Sequence, residues 1–233
     1  MKNGLTYLIF VIDRSGSMES IRNDMIGGFN SFIRTQREAK LGECRVFAYK
    51  FDTAYDTMFE DIDLEQVPDL NRENYAPRGN TALYDSLGKT IIDIGAKLAH
   101  IPEDQRPSKV LVVTITDGED NNHLGNLPRE KWLDANKVKE LVDHQTKNYK
   151  WDFAYIGANQ DAWSVGGGMG VSNNLNYDAT SKGTARAFVS LGSSTTKYRS
   201  CDAAFAFEPD DIDADNKKAV NPKKNATNKK TTT

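Results

Sequence analysis

Residues 13–17 read Asp-Arg-Ser-Gly-Ser and place one carboxylate and two hydroxyl side chains close together in the chain. They follow directly on an apolar run, residues 5–12, which is typical of a buried strand. Oxygen-only side chains of this kind suit a hard divalent cation such as Mg²⁺ or Mn²⁺. They would lie at the carboxyl end of the strand, where open α/β sheets bind ligands. The sequence therefore predicts a divalent-metal site that contains Asp13, Ser15 and Ser17.

Two further segments supply side chains of the same kind. Residues 79–83 read Gly-Asn-Thr-Ala-Leu, so Thr81 offers a third hydroxyl at the point where a helix should begin. A second apolar run, residues 110–115, leads into Thr-Asp-Gly and places Asp117 at the end of its own strand. Because the carboxyl ends of parallel strands meet at one edge of a sheet, we expect Asp117 to lie near Asp13.

Each of these segments also has a simpler interpretation. Ser and Thr are common at helix starts, so Ser17 and Thr81 could be N-caps and nothing more. Asp117 and the glycine after it could form an ordinary turn. The simpler interpretation requires two caps and one turn to occur by chance at the same edge of the sheet and in the right order. The metal interpretation is therefore favoured.

Five residues from these segments resemble the metal-ion-dependent adhesion site of the von Willebrand factor A domain: Asp13, Ser15, Ser17, Thr81 and Asp117. The resemblance extends over about residues 5–200 in the order of the predicted elements. It implies that the Ser and Thr hydroxyls bind the metal directly, whereas the Asp carboxylates often act through water. It also implies that a carboxylate of a partner protein completes the coordination, so that the domain binds proteins and is not an enzyme.

The elements that must position these residues alternate between helices and strands. Apolar residues recur at helical spacing over residues 18–39 and 83–98. Residues 44–51 and 55–64 read as strands joined by so short a turn that they must be antiparallel. Later strands are predicted at residues 110–116, 151–156 and 174–177.

This order of elements predicts an α/β fold of three layers. The sheet would be open and mostly parallel, with one antiparallel edge strand and with helices on both faces. The von Willebrand A domain, a Rossmann-like fold, has a similar arrangement. The predicted fold and the predicted site therefore agree.

Two later helices depend on weaker signals. Pro128 suits the first turn of a helix that would carry Trp132. Ser181 is predicted to cap the last helix, with Ala185, Phe188 and Val189 on its buried face.

The chain has 233 residues, enough for one α/β domain with a substantial core. We predict that residues 1–208 form the domain that resembles the von Willebrand A fold. Residues 209–233 are acidic at first and then rich in lysine, so we predict a disordered polar tail there.

Composition argues against several classes of partner. The formal net charge of −3 provides no basic field for nucleic acid. No signal peptide and no membrane-spanning apolar segment is visible, so we expect a cytoplasmic protein that does not bind membranes. Cys44 and Cys201 are predicted to be buried free thiols. The expected cofactor is Mg²⁺ or Mn²⁺, and the expected partner is a protein that presents an Asp or Glu carboxylate.

A phosphatase of the haloacid-dehalogenase type is the rival enzymatic interpretation, because it also places an Asp after its first strand. That chemistry needs a second Asp two residues later as the general acid, and this position is Ser15. A metal-free structural domain with the same fold is the third interpretation.

Specificity would come from the loops around the site. The predicted loops are residues 19–22, 74–80, 119–124 and 158–165. Arg78 is close to Thr81 in the sequence and could hold an anionic partner or be a solvated loop charge. His123 is interpreted as an isolated surface residue without partner spacing for zinc.

Overall fold

The computed structural model describes residues 1–158 and 162–208. Within these residues six strands form one sheet: Lys2–Asp13 (β1), Glu43–Phe51 (β2), Tyr55–Asp63 (β3), Pro107–Thr116 (β4), Asp152–Ala158 (β5) and Asn173–Tyr177 (β6). The α-helices of the same residues are Arg22–Glu38 (α1), Leu83–His100 (α2), Ala135–Tyr149 (α3), Ala162–Gly168 (α4) and Ser181–Ser200 (α5).

The strands lie in the order β3-β2-β1-β4-β5-β6. β1 pairs in parallel with β2 on one side and with β4 on the other, and β5 and β6 continue the parallel arrangement. β3 is an edge strand and pairs with β2 in the antiparallel direction. The predicted fold class is therefore confirmed as an open, mostly parallel sheet with one antiparallel edge strand.

β1 and β4 are buried along most of their length, because helices cover both faces of the sheet. On the face covered by α1 and α5, the Phe10 ring meets the rings of Phe29 and Phe32 edge-on, with centroid distances of 5.2 and 5.4 Å. On the other face, α2 packs through residues such as Leu87 and Ile91. Each such burial contributes roughly 1.5–3 kcal/mol. No helix in the described part of the chain has the length and apolar character to span a membrane.

The helix predicted to open at Pro128 begins later. Arg129–Lys131 is a single 3-10 turn, and α3 begins only after Asp134. The Asp134 carboxylate accepts a hydrogen bond from Lys137 N at 2.9 Å and so caps α3. The prediction that Trp132 lies in this helix is therefore wrong, because a carboxylate cap further along the chain fixes the helix start.

α5 differs from its prediction at its cap and on its buried face. Thr180, not Ser181, caps the helix, since its hydroxyl accepts a hydrogen bond from Gly183 N at 3.1 Å. Phe188 is buried as predicted, but Ala185 is exposed and Val189 is 71% exposed, so the predictions for these two residues are wrong. Successive residues point about 100° apart around a helix, so with Ala187 and Phe188 on the buried face, Val189 points away from the core. The buried face carries Thr184, Ala187, Phe188 and Leu191.

The two cysteines differ in burial. Cys44 is buried in β2 as predicted, and burial raises the pKa of its thiol to about 11. Cys201 is exposed, so the prediction of two buried thiols is wrong for this residue. It directly follows α5, and its Sγ lies 3.1 Å from Lys197 O. This thiol contacts the end of the helix instead of entering the core.

The last described residues still belong to the core. Phe205 and Phe207 are buried, and their rings pack edge-on against one another and, for Phe205, against Tyr198. The predicted tail, residues 209–233, lies outside the described residues, so its disorder stays a prediction.

Removing residues 212–233 should leave the melting temperature within roughly 2 °C of wild type, because surface changes alter stability by only about 0.5 kcal/mol. Truncation after residue 203 is the matched control, because it also removes Phe205 and Phe207 from the core and should lower the melting temperature by many degrees. Differential scanning calorimetry measures both variants. A similarly large drop in the melting temperature of the variant that lacks only residues 212–233 would show that the tail packs on the domain.

Candidate functional site

Asp13 ends β1 at the carboxyl edge of the sheet and is fully buried. One of its carboxylate oxygens, Oδ1, accepts a hydrogen bond from Ser15 N at 2.6 Å. The other, Oδ2, accepts one from the hydroxyl of Thr116 at the end of β4, also at 2.6 Å. In addition, Tyr75 Oη donates to the Asp13 carbonyl at 2.7 Å. The carboxylate is thus held both by its own loop and by the neighbouring strand.

Two serine hydroxyls connect this loop to Asp117. Ser15 Oγ and Ser17 Oγ lie 3.1 Å apart. Ser17 Oγ donates a hydrogen bond to Asp117 Oδ1 at 2.7 Å, although the two residues are 100 positions apart in the chain. Ser17 lies inside the short 3-10 helix Gly16–Ile21, and its side chain bonds another segment of the protein. The simpler interpretation of Ser17 as an N-cap is therefore wrong.

Thr81 lies just before α2 and is 2% exposed. It is not the N-cap of α2, because one more residue separates it from the first residue of that helix. A Cβ placed on Gly118 would lie 3.6 Å from Thr81 Oγ1 and 4.0 Å from Ser17 Oγ. The Thr81 and Ser17 hydroxyls therefore approach the same point, directly after Asp117. The structure brings together all five residues of the predicted site: Asp13, Ser15, Ser17, Thr81 and Asp117.

Burial makes both carboxylates costly to ionise. It is the largest influence on Asp13 and raises the pKa of this residue from 3.8 to about 6, against hydrogen bonds from Thr116 and Ser15 that lower it. Burial also raises the pKa of Asp117. Among the described groups that act on either carboxylate there is no cation. A dication would supply the missing positive charge, so the chemistry of this site fits Mg²⁺ or Mn²⁺.

The site differs from metal centres that are rich in histidine, cysteine or carboxylate. Residues 1–158 and 162–208 contain no group of three or more His, Cys, Asp and Glu side chains that could hold a metal. A metal at this site would need hydroxyl oxygens in addition to the carboxylates of Asp13 and Asp117. Hard cations accept neutral oxygen ligands as well as carboxylates.

Backbone hydrogen bonds join the loops around the site. Arg14 N donates to Phe51 O at 2.8 Å, and Arg78 N donates to Arg14 O at 2.7 Å. Gly16 N donates to Gly79 O at 3.1 Å. Gly79 has a φ of +68°, a left-handed conformation that favours glycine. In the loop after β2, Asp52 O accepts a hydrogen bond from Ala82 N at 3.2 Å. We call the loops after β1, after β2 and before α2 the interlocked loops, because each is bonded to another of the three.

Arg78 has a buried partner that the sequence analysis missed. Its Nε lies 2.8 Å from Asp52 Oδ2, and Arg14 Nε lies 3.1 Å from the same oxygen. The Asp52 side chain is 1% exposed, whereas that of Arg78 is 62% exposed. Arg78 is thus an exposed loop charge, as one of its two predicted roles describes, and it also pairs with a buried carboxylate. Its role in holding an anionic partner stays a prediction. The sequence does contain a signal for this carboxylate. Asp52 directly follows β2, much as Asp13 ends β1.

The loop after Asp117 is bonded to α2 through two acidic residues that the sequence analysis did not single out. Asp120 Oδ1 accepts a hydrogen bond from Tyr84 N at 3.1 Å, in the first turn of the helix. Asp85, buried in α2, accepts one from Leu124 N at 3.0 Å. The two partners are 36 and 39 positions apart in the chain, so no local pattern reveals them.

His123 is not isolated. Its Nδ1 lies 3.0 Å from Asp85 Oδ2, and its ring stacks on Trp132 with a centroid distance of 3.9 Å. The side chain is 34% exposed, so His123 is a half-buried part of the loop structure. In the last predicted loop, residues 158–165, positions 159–161 lie outside the described residues.

No protein-family model matches the sequence, and no curated protein matches it. Solved structures do have a similar fold. The vWF domain of the type V pili tip protein Mfa5 from Porphyromonas gingivalis has a TM-score of 0.55 and 10% identity, over 86% of this chain and 98% of that one.

Two longer chains are also similar. The PilB minor pilin from Streptococcus sanguinis has a TM-score of 0.56 and 13% identity, over 83% of this chain and 61% of that one. A von Willebrand factor type A protein from Catenulispora acidiphila has a TM-score of 0.50 and 12% identity, over 82% and 42%. This chain therefore spans less than two thirds of either protein. At these identities the similarity shows the fold alone.

Proposed function

We propose that this chain, which has the von Willebrand factor A fold, is a protein-binding domain that depends on a divalent metal. Mg²⁺ or Mn²⁺ would be held by Asp13, Ser15, Ser17, Thr81 and Asp117. The observation that supports this most is the hydrogen-bonded series from Ser15 through Ser17 to Asp117, with the Thr81 hydroxyl close to it.

In this proposal the charged and the neutral side chains have different roles. Asp13 and Asp117 together balance the charge of a dication. Ser15, Ser17 and Thr81 add oxygens without adding charge. A metal bound by so few charges supplies strong attraction for a further anion. We propose that this anion is an Asp or Glu carboxylate of a partner protein, as the family resemblance implies.

We propose further that the domain is not an enzyme. Binding of this kind needs neither a general acid nor a nucleophile. In the rival phosphatase chemistry the position of Ser15 carries a carboxylic acid, and here its Oγ lies against Ser17 Oγ. A serine hydroxyl holds its proton too tightly to replace that acid. Mfa5 and PilB, which have a similar fold, are a pilus tip protein and a minor pilin.

Capture from an extract of the native cell, in Mg²⁺ and in EDTA, tests the proposal. The full chain is immobilised, and the retained proteins are identified by mass spectrometry. We expect a partner that is retained in Mg²⁺ and lost in EDTA, and that an Asp13→Ala bait does not retain. Calorimetric titration of Mg²⁺ should show binding to wild type only. Equal Mg²⁺ binding by Asp13→Ala would contradict the assignment of the site.

A further inference from the structure

Asn121 holds the backbone of Thr81 from both sides. Thr81 N donates a hydrogen bond to the side-chain oxygen of Asn121, Oδ1, at 2.9 Å. Thr81 O accepts hydrogen bonds from Asn121 N at 3.0 Å and from Asn122 N at 3.1 Å. Both polar groups of the Thr81 backbone are therefore bonded to one short stretch of the loop that follows β4.

This stretch begins four residues after Asp117, so Asn121 links two of the segments that build the site. The rest of the loop is fixed to α2 independently, by the hydrogen bonds of Asp120 and Asp85 to backbone amides. The loop can therefore keep its place when the Asn121 side chain is shortened. What changes is the support of Thr81 alone.

A structural role as a helix cap does not account for Asn121. Its bond goes to Thr81, which precedes α2, whereas Asp120 bonds an amide in the first turn of the helix. Thr81 N is a backbone donor on a residue that is 2% exposed. Such a donor is costly to leave unpaired, so the Asn121 oxygen fixes where Thr81 lies.

We propose that Asn121 is a positioning residue that sets the Thr81 hydroxyl against Asp117, so that both segments reach one metal ion. This role rests on the proposed function. Residues that orient metal ligands commonly change metal affinity by about 10- to 100-fold when they are replaced. Asn121 is expected to act at the lower end of that range, because two backbone bonds to Thr81 O remain without its side chain.

The neighbouring residue provides a matched control. Asn122 Oδ1 accepts a hydrogen bond only from the adjacent His123 N, at 2.8 Å, among the bonds that the structure shows for that atom. Asn122→Ala therefore removes the same chemical group one position away without touching Thr81. Asn121→Asp keeps the acceptor oxygen for Thr81 N. Combining Asn121→Ala with Asn122→Asp adds a negative charge near the site but restores no acceptor for Thr81.

Mg²⁺ titration of the full chain by calorimetry separates these variants, with circular dichroism to check the fold. We expect Asn121→Ala to weaken Mg²⁺ binding about tenfold. Asn122→Ala should bind as wild type does, and Asn121→Asp should bind at least as well. The double variant should stay weak. In metal-free protein, the Thr81 amide should exchange its hydrogen faster in Asn121→Ala than in Asn122→Ala.

If wild type binds Mg²⁺ and Asn121→Ala binds it equally well, the positioning role is overturned while the proposed function stands. A double variant restored to wild-type affinity would also overturn the role, since charge alone would then account for the effect. A wild-type protein that binds no Mg²⁺ would overturn the proposed function itself, and this role with it.

Discussion

Asp13→Asn is expected to make the metal-free protein more stable and to remove its Mg²⁺ binding. Burial raises the pKa of Asp13 from 3.8 to about 6, so the folded protein resists the negative charge that the unfolded chain accepts readily. Below about pH 4 both states hold the proton, and the carboxyl group costs nothing. Between about pH 4 and 6 stability falls, because only the unfolded state has lost its proton.

Above about pH 6 the full cost is present, and a shift of this size corresponds to about 3 kcal/mol. Asparagine is uncharged at every pH, and its amide can still accept from Ser15 N and donate to Thr116 Oγ1. Urea unfolding in EDTA should therefore show a gain near neutral pH of up to about 3 kcal/mol that vanishes near about pH 4. Addition of Mg²⁺ should stabilise wild type and leave the variant unchanged.

Asp117→Asn is the matched comparison. Asp117 is only partly buried, so its replacement should give a smaller gain in metal-free stability. An Asp13→Asn protein that is less stable than wild type near neutral pH would show that the buried charge is already compensated. One that Mg²⁺ stabilises as strongly as wild type would remove Asp13 from the metal site.

Thr81→Val should abolish partner capture while the fold stays intact. Valine has nearly the shape of threonine but lacks its hydroxyl oxygen. The hydrogen bonds from the Thr81 backbone to Asn121 do not involve the Thr81 side chain. The site would then lose one of its three hydroxyls, and Mg²⁺ affinity should fall by at least about tenfold. Thr81→Ser keeps the hydroxyl and should retain most of the binding.

Calorimetry with Mg²⁺ and capture in Mg²⁺ and EDTA measure both parts of this prediction, and circular dichroism should not change. A Thr81→Val protein that captures its partners fully in EDTA would place the interface elsewhere. That result would favour the metal-free structural interpretation of the domain.

The position of the site could be predicted because two central strands are marked by long apolar runs. Each run ends in a carboxylate, Asp13 or Asp117, and parallel strands must bring these ends to one edge of the sheet. Ser15 and Ser17 follow within the same loop, so their location depends on little beyond the end of β1. Thr81 was found from its place before the apolar helix pattern of α2.

Contacts between distant residues could not be predicted where neither residue ends a predicted strand. Asp85 bonds Leu133 N over 48 positions, and no pattern around either residue indicates this contact. The start of α3 was misplaced for a related reason, because Pro128 and Asp134 are both good helix-start signals. The exposed Val189 shows that an apolar residue next to a buried one in a helix need not face the core itself.

The interlocked loops have a consequence for the kinetics of the partner binding that we propose. Loops that are already bonded to one another lose little conformational entropy when a partner arrives, so association needs no slow ordering step. The same hydrogen bonds prevent the interlocked loops from changing their conformation around a poorly fitting partner. Partners should therefore differ mainly in how fast they dissociate, and a change that loosens Gly16 from Gly79 should shorten the lifetime of a complex and broaden the range of proteins bound.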